Sequence, residues 1–372
     1  MSKAAELAAL IANVNNGSSL GSKNFIINGA AQVQQRSDLS VSAGVTNEGF
    51  APDRFHVLLS NMGQLAGTFT TVADAPDNTG LTRSIKWTTT TPENVIASNE
   101  LYSIRHNIEA QNLQSLEYGT SDAKYTTLSF WVKSSITGTF GITLYHADGN
   151  QTVTNTYTIA SANTWQYVTW TIPPNTSQVI NNDNGEGLRF IWQLASGSTY
   201  DGGSSNQNNW ISHVNGSWAY GHAQDGVVTT DNATFQLTGL QYEIGEKATE
   251  FSHEPFEATL HKCQRYYYKH VEGATYMMGM GDYYTNTQLD CVVHLPVTMR
   301  AVPSLVQTSG TNYYLAYGGA AAEYMSNAWN LWTAHENTFS LYAAPATNGT
   351  AGQARRVVSS NAASMIAMNA EL

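Results

Sequence analysis

The chain has 372 residues, which is long enough for two or three domains that each bury a core. Charged residues make up 12% of it, against roughly 25% in typical globular proteins, and the formal net charge is −11. An acidic chain without clustered Lys and Arg is a poor partner for nucleic acid or anionic lipid. No apolar run approaches the roughly 20 residues of a membrane helix, so we predict neither a nucleic-acid partner nor membrane insertion.

Residues 1–23 predict a short N-terminal helix followed by a Gly/Ser-rich linker. The start lacks a basic region followed by an apolar stretch, so it does not predict a signal peptide. A helix this short is marginally stable alone in water, and we therefore expect it to dock on a partner protein or on copies of itself. Its apolar side chains recur at the spacing of one helix face, at Leu7, Leu10, Ile11 and Val14.

Residues 24–256 predict a β-sandwich of the jelly-roll type, because short alternating segments are separated by turn residues. In segment 125–134 the apolar side chains alternate with Ser129, Trp131 and Lys133, which face the opposite way. In segment 165–172, Tyr167 and two threonines alternate with apolar side chains in the same manner. Residues 107–117 predict a short helical turn. Further strands are predicted in segments 139–146, 187–195 and 233–244.

Residues 257–372 predict a second, C-terminal β-rich domain, opened by a strand around 264–271. The chain is therefore expected to be mainly β. Cys263 and Cys291 form neither a CxxC motif nor a disulfide framework, so we expect two reduced cysteines. His261 and Cys263, just before that strand, would alternate on one face of an extended segment but lack two further ligands. We predict no metal and no cofactor.

Three segments carry a resemblance to a known group of proteins. They are NFIINGAAQVQQRS with APDRF (24–37 and 51–55), the stretch from Ile108 to Ser134, and the stretch from Leu237 to Lys269 with LPVTMRAVPS (295–304). These segments resemble bacteriophage tail-fibre and other virion appendage proteins that contain a jelly roll similar to carbohydrate-binding modules. The resemblance implies that residues 24–37 and 51–55 open the jelly roll. It also implies a homotrimer, with residues 1–23 anchoring the chain to the particle.

Aromatic side chains set among amides and carboxylates suit contact with glycans or receptors. A long polar loop over 197–226 has this composition, and a loop of this length tends to be functional. The alternative is that the rings cover the end of the sandwich or lie in a subunit interface. A second aromatic group lies in the C-terminal domain, where core packing is again the alternative. The candidate ligand-binding residues are Tyr200, Trp210, Trp218 and Tyr220 in the loop, and Tyr314, Trp329 and Trp332 in the C-terminal domain.

Glycan hydrolysis would require two carboxylates facing each other about 5–10 Å apart. The acidic residues of 24–256 form no recognisable pair, and there is neither a nucleophile elbow of the GxSxG type nor a phosphate-binding glycine loop. We therefore predict that the chain is not an enzyme and has no catalytic residues.

The combined interpretation is a phage virion structural protein, a short tail fibre or tail-tip appendage that mediates host attachment. Its expected partners are copies of itself, other tail or baseplate proteins, and a host-surface glycan or outer-membrane receptor. Its expected location is the virion, after assembly in the host cytoplasm. Two alternatives stay open at this point: a purely structural adaptor or decoration protein of tail or capsid, and a glycan depolymerase.

Overall fold

The computed structural model describes residues 24–42, 48–203, 205–318, 322–344 and 349–372. It is mainly β, with antiparallel sheets and few helices, which confirms the predicted fold class. The predicted N-terminal helix, with Leu7, Leu10, Ile11 and Val14, lies outside the described residues. In the part of the chain that is described, none of the helices has the length and apolar character needed to cross a lipid bilayer.

The described residues form two compact units. Unit 1 contains residues 24–31, the described part of 40–49, and Val57–Glu254. Unit 2 contains Gln32–Leu39, Phe50–His56 and Pro255–Leu372. The sequence boundaries place the whole of 24–256 in one domain, but two short segments of it pack with the C-terminal residues instead. The chain therefore enters unit 2 twice before residue 57.

Unit 1 is a β-sandwich of two sheets. One sheet has six strands in the order β1-β4-β5-β13-β7-β10, and the other has seven in the order β12-β9-β8-β11-β6-β3-β2. The segments predicted as strands at 125–134, 139–146, 165–172, 187–195 and 233–244 are β7, β8, β10, β11 and β13. The strands are β1 (Leu39–Val41), β2 (Glu48–Phe50), β3 (Phe55–Ser60), β4 (Ala66–Val72), β5 (Ser84–Thr91), β6 (Leu101–Glu109), β7 (Thr126–Ser134), β8 (Gly138–His146), β9 (Gln151–Ile159), β10 (Gln166–Ile172), β11 (Glu186–Ser196), β12 (Ile211–Ser212) and β13 (Thr234–Ile244).

Short helices lie in the connections of unit 1. The turn predicted at 107–117 is a 3-10 helix, Ala110–Leu116, and it begins later than predicted because Ile108 belongs to β6. Leu113 and Leu116 of this helix are buried. The remaining helices are α1 (Ser198–Asp201), a 3-10 turn (Asn215–Ser217) and α2 (Gly226–Thr229).

Aromatic rings from the two sheets meet in the core of unit 1. The ring centroids of Trp87 on β5 and Tyr102 on β6 lie 4.7 Å apart, and both side chains are fully buried. Phe190 on β11 meets Tyr242 on β13 at 4.9 Å in an edge-to-face arrangement, which aromatic pairs favour. These contacts join the sheets face to face. The opposite face of each sheet points away from the core.

The long polar loop covers the outer face of the seven-stranded sheet. In residues 197–226 the backbone carbonyl of Trp218 accepts a hydrogen bond from Gln193 Nε2 on β11, at 2.8 Å. Asn206 donates to Thr152 Oγ1 on β9 at 3.0 Å. Because the loop is bonded to side chains that point away from the core, it forms a layer over this sheet. On the outer face of the six-stranded sheet, Thr127 and Ser129 of β7 are buried, whereas the outward positions of β10 are exposed.

Unit 2 contains a three-stranded sheet, in the order β14-β23-β17, and a seven-stranded sheet, in the order β19-β18-β22-β15-β16-β21-β20. Its core includes Met278, Tyr283, Phe339, Leu341 and Met368. The strands are β14 (Tyr267–Glu272), β15 (Met277–Thr285), β16 (Gln288–His294), β17 (Ser304–Gln307), β18 (Tyr314–Tyr317), β19 (Ala322–Ser326), β20 (Asn330–His335), β21 (Thr338–Ala343), β22 (Ala354–Ser359) and β23 (Met365–Asn369).

The strand predicted around 264–271 corresponds to β14, and a helix, α3 (Phe256–Gln264), precedes it. Pro255 precedes it and Glu257 lies in its first turn, both of which favour a helix start. His261 and Cys263 therefore lie on a helix and not on one face of a strand. Cys263 is fully buried, and burial raises the pKa of its thiol well above the usual value.

A cluster of buried charges joins the two early segments of unit 2 to its C-terminus. Arg54 is 1% exposed, forms an ion pair with Glu371, and lies over the ring of Tyr266, 3.5 Å from its centroid. Arg36 lies 3.1 Å from Glu371 Oε1 and 3.3 Å from Asp53 Oδ1. The resemblance places Asp53 and Arg54 at the opening of the jelly roll, whereas their contacts belong to unit 2. In unit 2 the buried guanidinium of Arg54 finds a carboxylate to pair with, Glu371, and a ring to lie on, Tyr266.

Asp53 gives unit 2 a predicted pH dependence. Burial raises the pKa of its carboxyl from 3.8 to about 6, although the charge of Arg36 and a hydrogen bond from Gln35 oppose the shift. Since the folded pKa lies above the unfolded one, the protonated form favours folding. The contribution of protonated Asp53 to the free energy of unfolding is complete below about pH 3.8 and is lost as the pH rises through about 6. The total loss is about 3 kcal/mol.

The measurement is urea unfolding of the wild type and Asp53→Asn between pH 4 and 7.5. Asn resembles the protonated carboxyl, so the wild type should lose stability relative to the variant as the pH rises. Parallel pH profiles of the two proteins would show that Asp53 keeps an ordinary pKa.

Candidate functional site

The open face of the six-stranded sheet presents aromatic and polar side chains. On β7 the buried Leu128, Phe130 and Val132 alternate with outward residues that include Trp131. On β10 Tyr167 points outward and is 42% exposed. Trp131 stands directly opposite Tyr167 in the register of the two strands, so both rings lie on the same face.

The two rings line a groove with a volume of about 520 Å³. Their centroids are 5.1 Å apart and their planes are inclined by 44°. Gly239 on β13 lies in the floor with a φ of 60°, and an added Cβ there would lie 3.1 Å from Trp131 Cδ1. The absence of a side chain at this position therefore lets the indole lie close to the strand. The remaining lining residues are Asn78, Thr79, Leu81, Ser129, Ala248, Thr249, Glu250, Phe251 and His253.

One wall of the groove is the segment that follows β13, and hydrogen bonds fix it to the sheet. Glu243 accepts hydrogen bonds from the backbone N–H and the hydroxyl of Thr249, at 2.8 and 2.7 Å. Gln241 Oε1 accepts from the N–H of Ser252 at 2.7 Å. His253 Nε2 lies 3.0 Å from the carbonyl oxygen of Thr79, which joins the wall to the turn before β5. The groove is therefore formed without a ligand.

A polar group lies further along the same face. Lys133 on β7 forms an ion pair with Asp74, and Trp165 Nε1 donates to Asp74 Oδ1 at 3.3 Å. Lys133 Nζ also lies 5.0 Å from the centroid of the Trp165 ring. Partial burial by itself would raise the pKa of Asp74, but the hydrogen bond and charge of Lys133 outweigh it and lower that pKa. The carboxylate is thus ionised and available as an acceptor beside a third aromatic ring.

The structure places the candidate rings of the long loop on the other sheet. Trp218 packs between His213 and Tyr145, with ring centroids 4.2 and 5.1 Å away. Trp210 donates from Nε1 to the carbonyl of Pro173 at 2.8 Å and lines a separate small cavity of about 240 Å³. Tyr200 and Tyr220 are half-buried in the same loop. These four residues do not meet Trp131 and Tyr167 in one groove.

The candidates in unit 2 divide into buried and exposed rings. Tyr314 is fully buried, and its hydroxyl donates to carbonyl oxygens of Thr308 and Met365. Trp329 is 1% exposed. Neither ring presents a face to a ligand, because both are part of the core. Trp332 is 55% exposed and contacts the rings of Tyr284 and Tyr342.

The titratable residues of the long loop are engaged within the fold. His222 Nδ1 accepts a hydrogen bond from the N–H of Gly141 at 3.1 Å, and its Nε2 lies 3.3 Å from Asp225 Oδ1. Burial, and then the charge of Asp225, raise the pKa of Asp201. Across the ranges that the structure describes, there is no group of three or more His, Cys, Asp or Glu side chains that could hold a metal ion.

No protein-family model and no curated protein matches the sequence. Among solved structures, the enzymatically active domain of tailspike protein 4 of Bacteriophage CBA120 has a TM-score of 0.32 and 15% identity, over 60% of this chain and only 22% of that one. The CBM22-1 xylan-binding domain of Paenibacillus barcinonensis Xyn10C has a TM-score of 0.26 and 11% identity, over 60% of this chain and 96% of that one. The CBM22-1–CBM22-2 tandem domain of the same protein has a TM-score of 0.28 and 9% identity, over 95% of this chain and all of that one. Similarities this low do not assign the chain to a family.

The alternating pattern places Trp131 and Tyr167 on strands, but neither was predicted as a ligand-binding residue. The available signal was the size of the side chain: each is a large aromatic residue at a position whose neighbours on the strand face the core. Large aromatic side chains that share one outward strand face form an apolar patch, and such patches mark binding surfaces. The pattern alone does not tell which of the two sheets is covered by the long loop.

Proposed function

We propose that the chain binds a carbohydrate through unit 1, in the groove around Trp131 and Tyr167. The observation that carries the proposal is this ring pair on one sheet face, in which Tyr167 is 42% exposed and Trp131 is half-buried. Aromatic rings provide apolar faces for the C–H surface of a sugar, and the surrounding hydroxyl, amide and carboxylate groups suit its hydroxyls. The fixed wall of the groove reduces the ordering cost of binding.

The groove suits a chain of sugars more than a single residue. It is open to solvent, and the outward row continues from the ring pair to Trp165, Lys133 and Asp74 on the same face. A linear glycan lying across β7 and β10 would contact both groups. Weak contact at one groove is compensated where several copies act together.

The test is binding of purified bacterial surface polysaccharides by calorimetry. Trp131→Ala and Tyr167→Ala should each weaken the binding by about 30-fold, since truncation of a central aromatic contact costs about 2 kcal/mol. Tyr167→Phe keeps the ring and should retain most of the affinity. Tyr125→Ala is the matched control, because Tyr125 is 46% exposed in the same unit but lies outside the groove. Equal losses in Tyr125→Ala and Tyr167→Ala would refute the proposed site.

We further propose that the glycan lies on a host cell and that the chain is a virion attachment protein, assembled as a homotrimer with other tail or baseplate proteins. The resemblance of 24–37, 108–134 and 237–269 to tail-fibre proteins supports this role, and the low content of charge suits extensive burial in an assembly. The test is adsorption: the purified chain should compete with phage for host cells, and Tyr167→Ala should compete poorly. Binding of virion proteins without host cells would favour a structural adaptor, and release of reducing sugar would favour a depolymerase.

A further inference from the structure

We propose that unit 2 carries a second site, which binds an organic ammonium group such as a quaternary amine or the amine of an amino sugar. The site is the outer face of its seven-stranded sheet, where the rings of Tyr284, Trp332 and Tyr342 lie beside the carboxylates of Asp282 and Asp290. Of these residues, only Trp332 was a candidate ligand-binding residue on sequence grounds.

The three rings form one cluster, in which Tyr284 and Trp332 are exposed and Tyr342 is half-buried. The Trp332 ring centroid lies 6.0 Å from that of Tyr284 and 5.4 Å from that of Tyr342, with the planes inclined by 59° and 86°. Tyr284 is 62% exposed and Trp332 is 55% exposed. Rings that meet at steep angles do not form one flat stacking surface. They present faces in several directions, as in aromatic sites that surround a cation.

The two carboxylates stand in register next to the rings. Asp282 on β15 is directly opposite Asp290 on β16, and Asp290 is directly opposite Tyr342 on β21. Like charges at directly opposed positions destabilise a sheet. Gln288 Nε2 donates to Asp290 Oδ1 at 2.8 Å, but among the described residues neither carboxylate forms an ion pair with a basic side chain.

Arg356 is the outward basic residue nearest to the two carboxylates in the strand register, and its guanidinium lies beside a different ring. Arg356 on β22 stands opposite Met280, and its guanidinium lies 5.8 Å from the ring centroid of Tyr317. The face therefore combines two carboxylates with two exposed rings and the half-buried ring of Tyr342.

Charge complementarity selects the ligand. The ring quadrupole attracts a cation, and the carboxylates add a Coulomb attraction that a neutral ligand does not receive. An anion would be repelled. A two-fold contact between copies of the chain through this face would bring the carboxylates of both copies together, which disfavours a second copy as the occupant. An ammonium group relieves the Asp282–Asp290 repulsion and uses the rings at the same time.

The experiment is titration of the full chain with choline, at constant ionic strength, followed by NMR or calorimetry. The neutral isostere 3,3-dimethylbutan-1-ol is the matched control ligand, and it should bind about tenfold more weakly because it has the same shape without the charge. Glucosamine against glucose repeats the comparison for a primary amine. A preference for the charged member of either pair supports the site and identifies which kind of ammonium it takes.

The variants separate a binding role from a structural one. Trp332→Ala and Tyr284→Ala should each weaken binding of the preferred ammonium by about fivefold or more. Asp282→Asn should weaken it to a similar extent and yet leave unit 2 at least as stable, because it removes a like-charge pair. Met280→Ala is the control on the same face, since Met280 is 60% exposed and carries no charge or ring. Trp131→Ala, in unit 1, should have no effect, so failure of this site and of the glycan groove are distinguishable.

Equal affinity for choline and its neutral isostere, together with equal affinity for glucosamine and glucose, would overturn the proposal. A second result would also overturn it: no ammonium binding, together with a changed oligomeric mass of Trp332→Ala and Met280→Ala. The face would then be an interface between protein chains.

Discussion

Replacement of Arg54 by Leu is expected to destabilise unit 2 by about 3–5 kcal/mol. The guanidinium is 1% exposed, forms an ion pair with Glu371 and stacks on Tyr266. Its removal leaves the Glu371 carboxylate, which is 5% exposed, with one ion pair, to Arg36, and with the repulsion of the nearby Asp53 carboxyl. A buried charge that loses its partner costs far more than the pair contributes, because water cannot replace the lost contact.

The measurement is chemical unfolding of Arg54→Leu, Glu371→Leu and the double variant. Both single variants should unfold at lower denaturant, and the double variant should recover part of the loss, since an apolar pair no longer contains an unpaired buried charge. Lys269→Ala is the matched control: Lys269 pairs with Glu272 on the surface, and its loss should cost about 0.5 kcal/mol or less. Equal effects of Arg54→Leu and Lys269→Ala would show that the Arg54 pair is not a buried one.

Residues 255–372 expressed alone are expected not to fold. A boundary at 256 separates them from Gln32–Leu39 and Phe50–His56, which belong to the same compact unit. The fragment would leave Glu371 without its arginine partners and uncover the rings of Tyr266 and Tyr267 on which the guanidinium groups lie. Several such losses approach the whole stability of a typical domain, about 5–15 kcal/mol.

The test compares near-ultraviolet circular dichroism and NMR dispersion of fragment 255–372 with those of 24–372. Addition of a synthetic peptide spanning 32–56 should restore structure to the fragment, because it supplies Arg36, Asp53 and Arg54. The same peptide with Arg54→Leu is the control and should restore less. A well-dispersed spectrum from the fragment alone would contradict the assignment of the early segments to unit 2.

The two candidate sites differ in chemistry. The groove of unit 1 combines Trp131 and Tyr167 with mostly uncharged polar groups, and the Asp74 carboxylate further along the face is already paired with Lys133. The face of unit 2 combines rings with carboxylates that have no basic partner among the described residues. If both proposals hold, a polymer that carries sugar residues and amines would be contacted at two sites, which would raise the overall affinity.

The sequence by itself determined the fold class and five of the thirteen strands of unit 1, β7, β8, β10, β11 and β13. Strict alternation, as in Leu128, Phe130 and Val132 on β7, has only one explanation: a strand with one face in a core. The same alternation already placed Trp131 and Tyr167 on the opposite face. Local pattern is sufficient here because burial of a strand depends on side chains two residues apart.

Only the tertiary structure decided which residues form sites. The long loop over 197–226 and the rings of β7 and β10 have similar compositions, but the loop is bonded across the seven-stranded sheet while the other sheet stays open. Arg54 lies next to β-sandwich residues in the sequence, yet its partner is Glu371 near the end of the chain. The physical reason is that charge pairing and the covering of a face depend on residues brought together from distant positions, and no local period in the sequence records those distances.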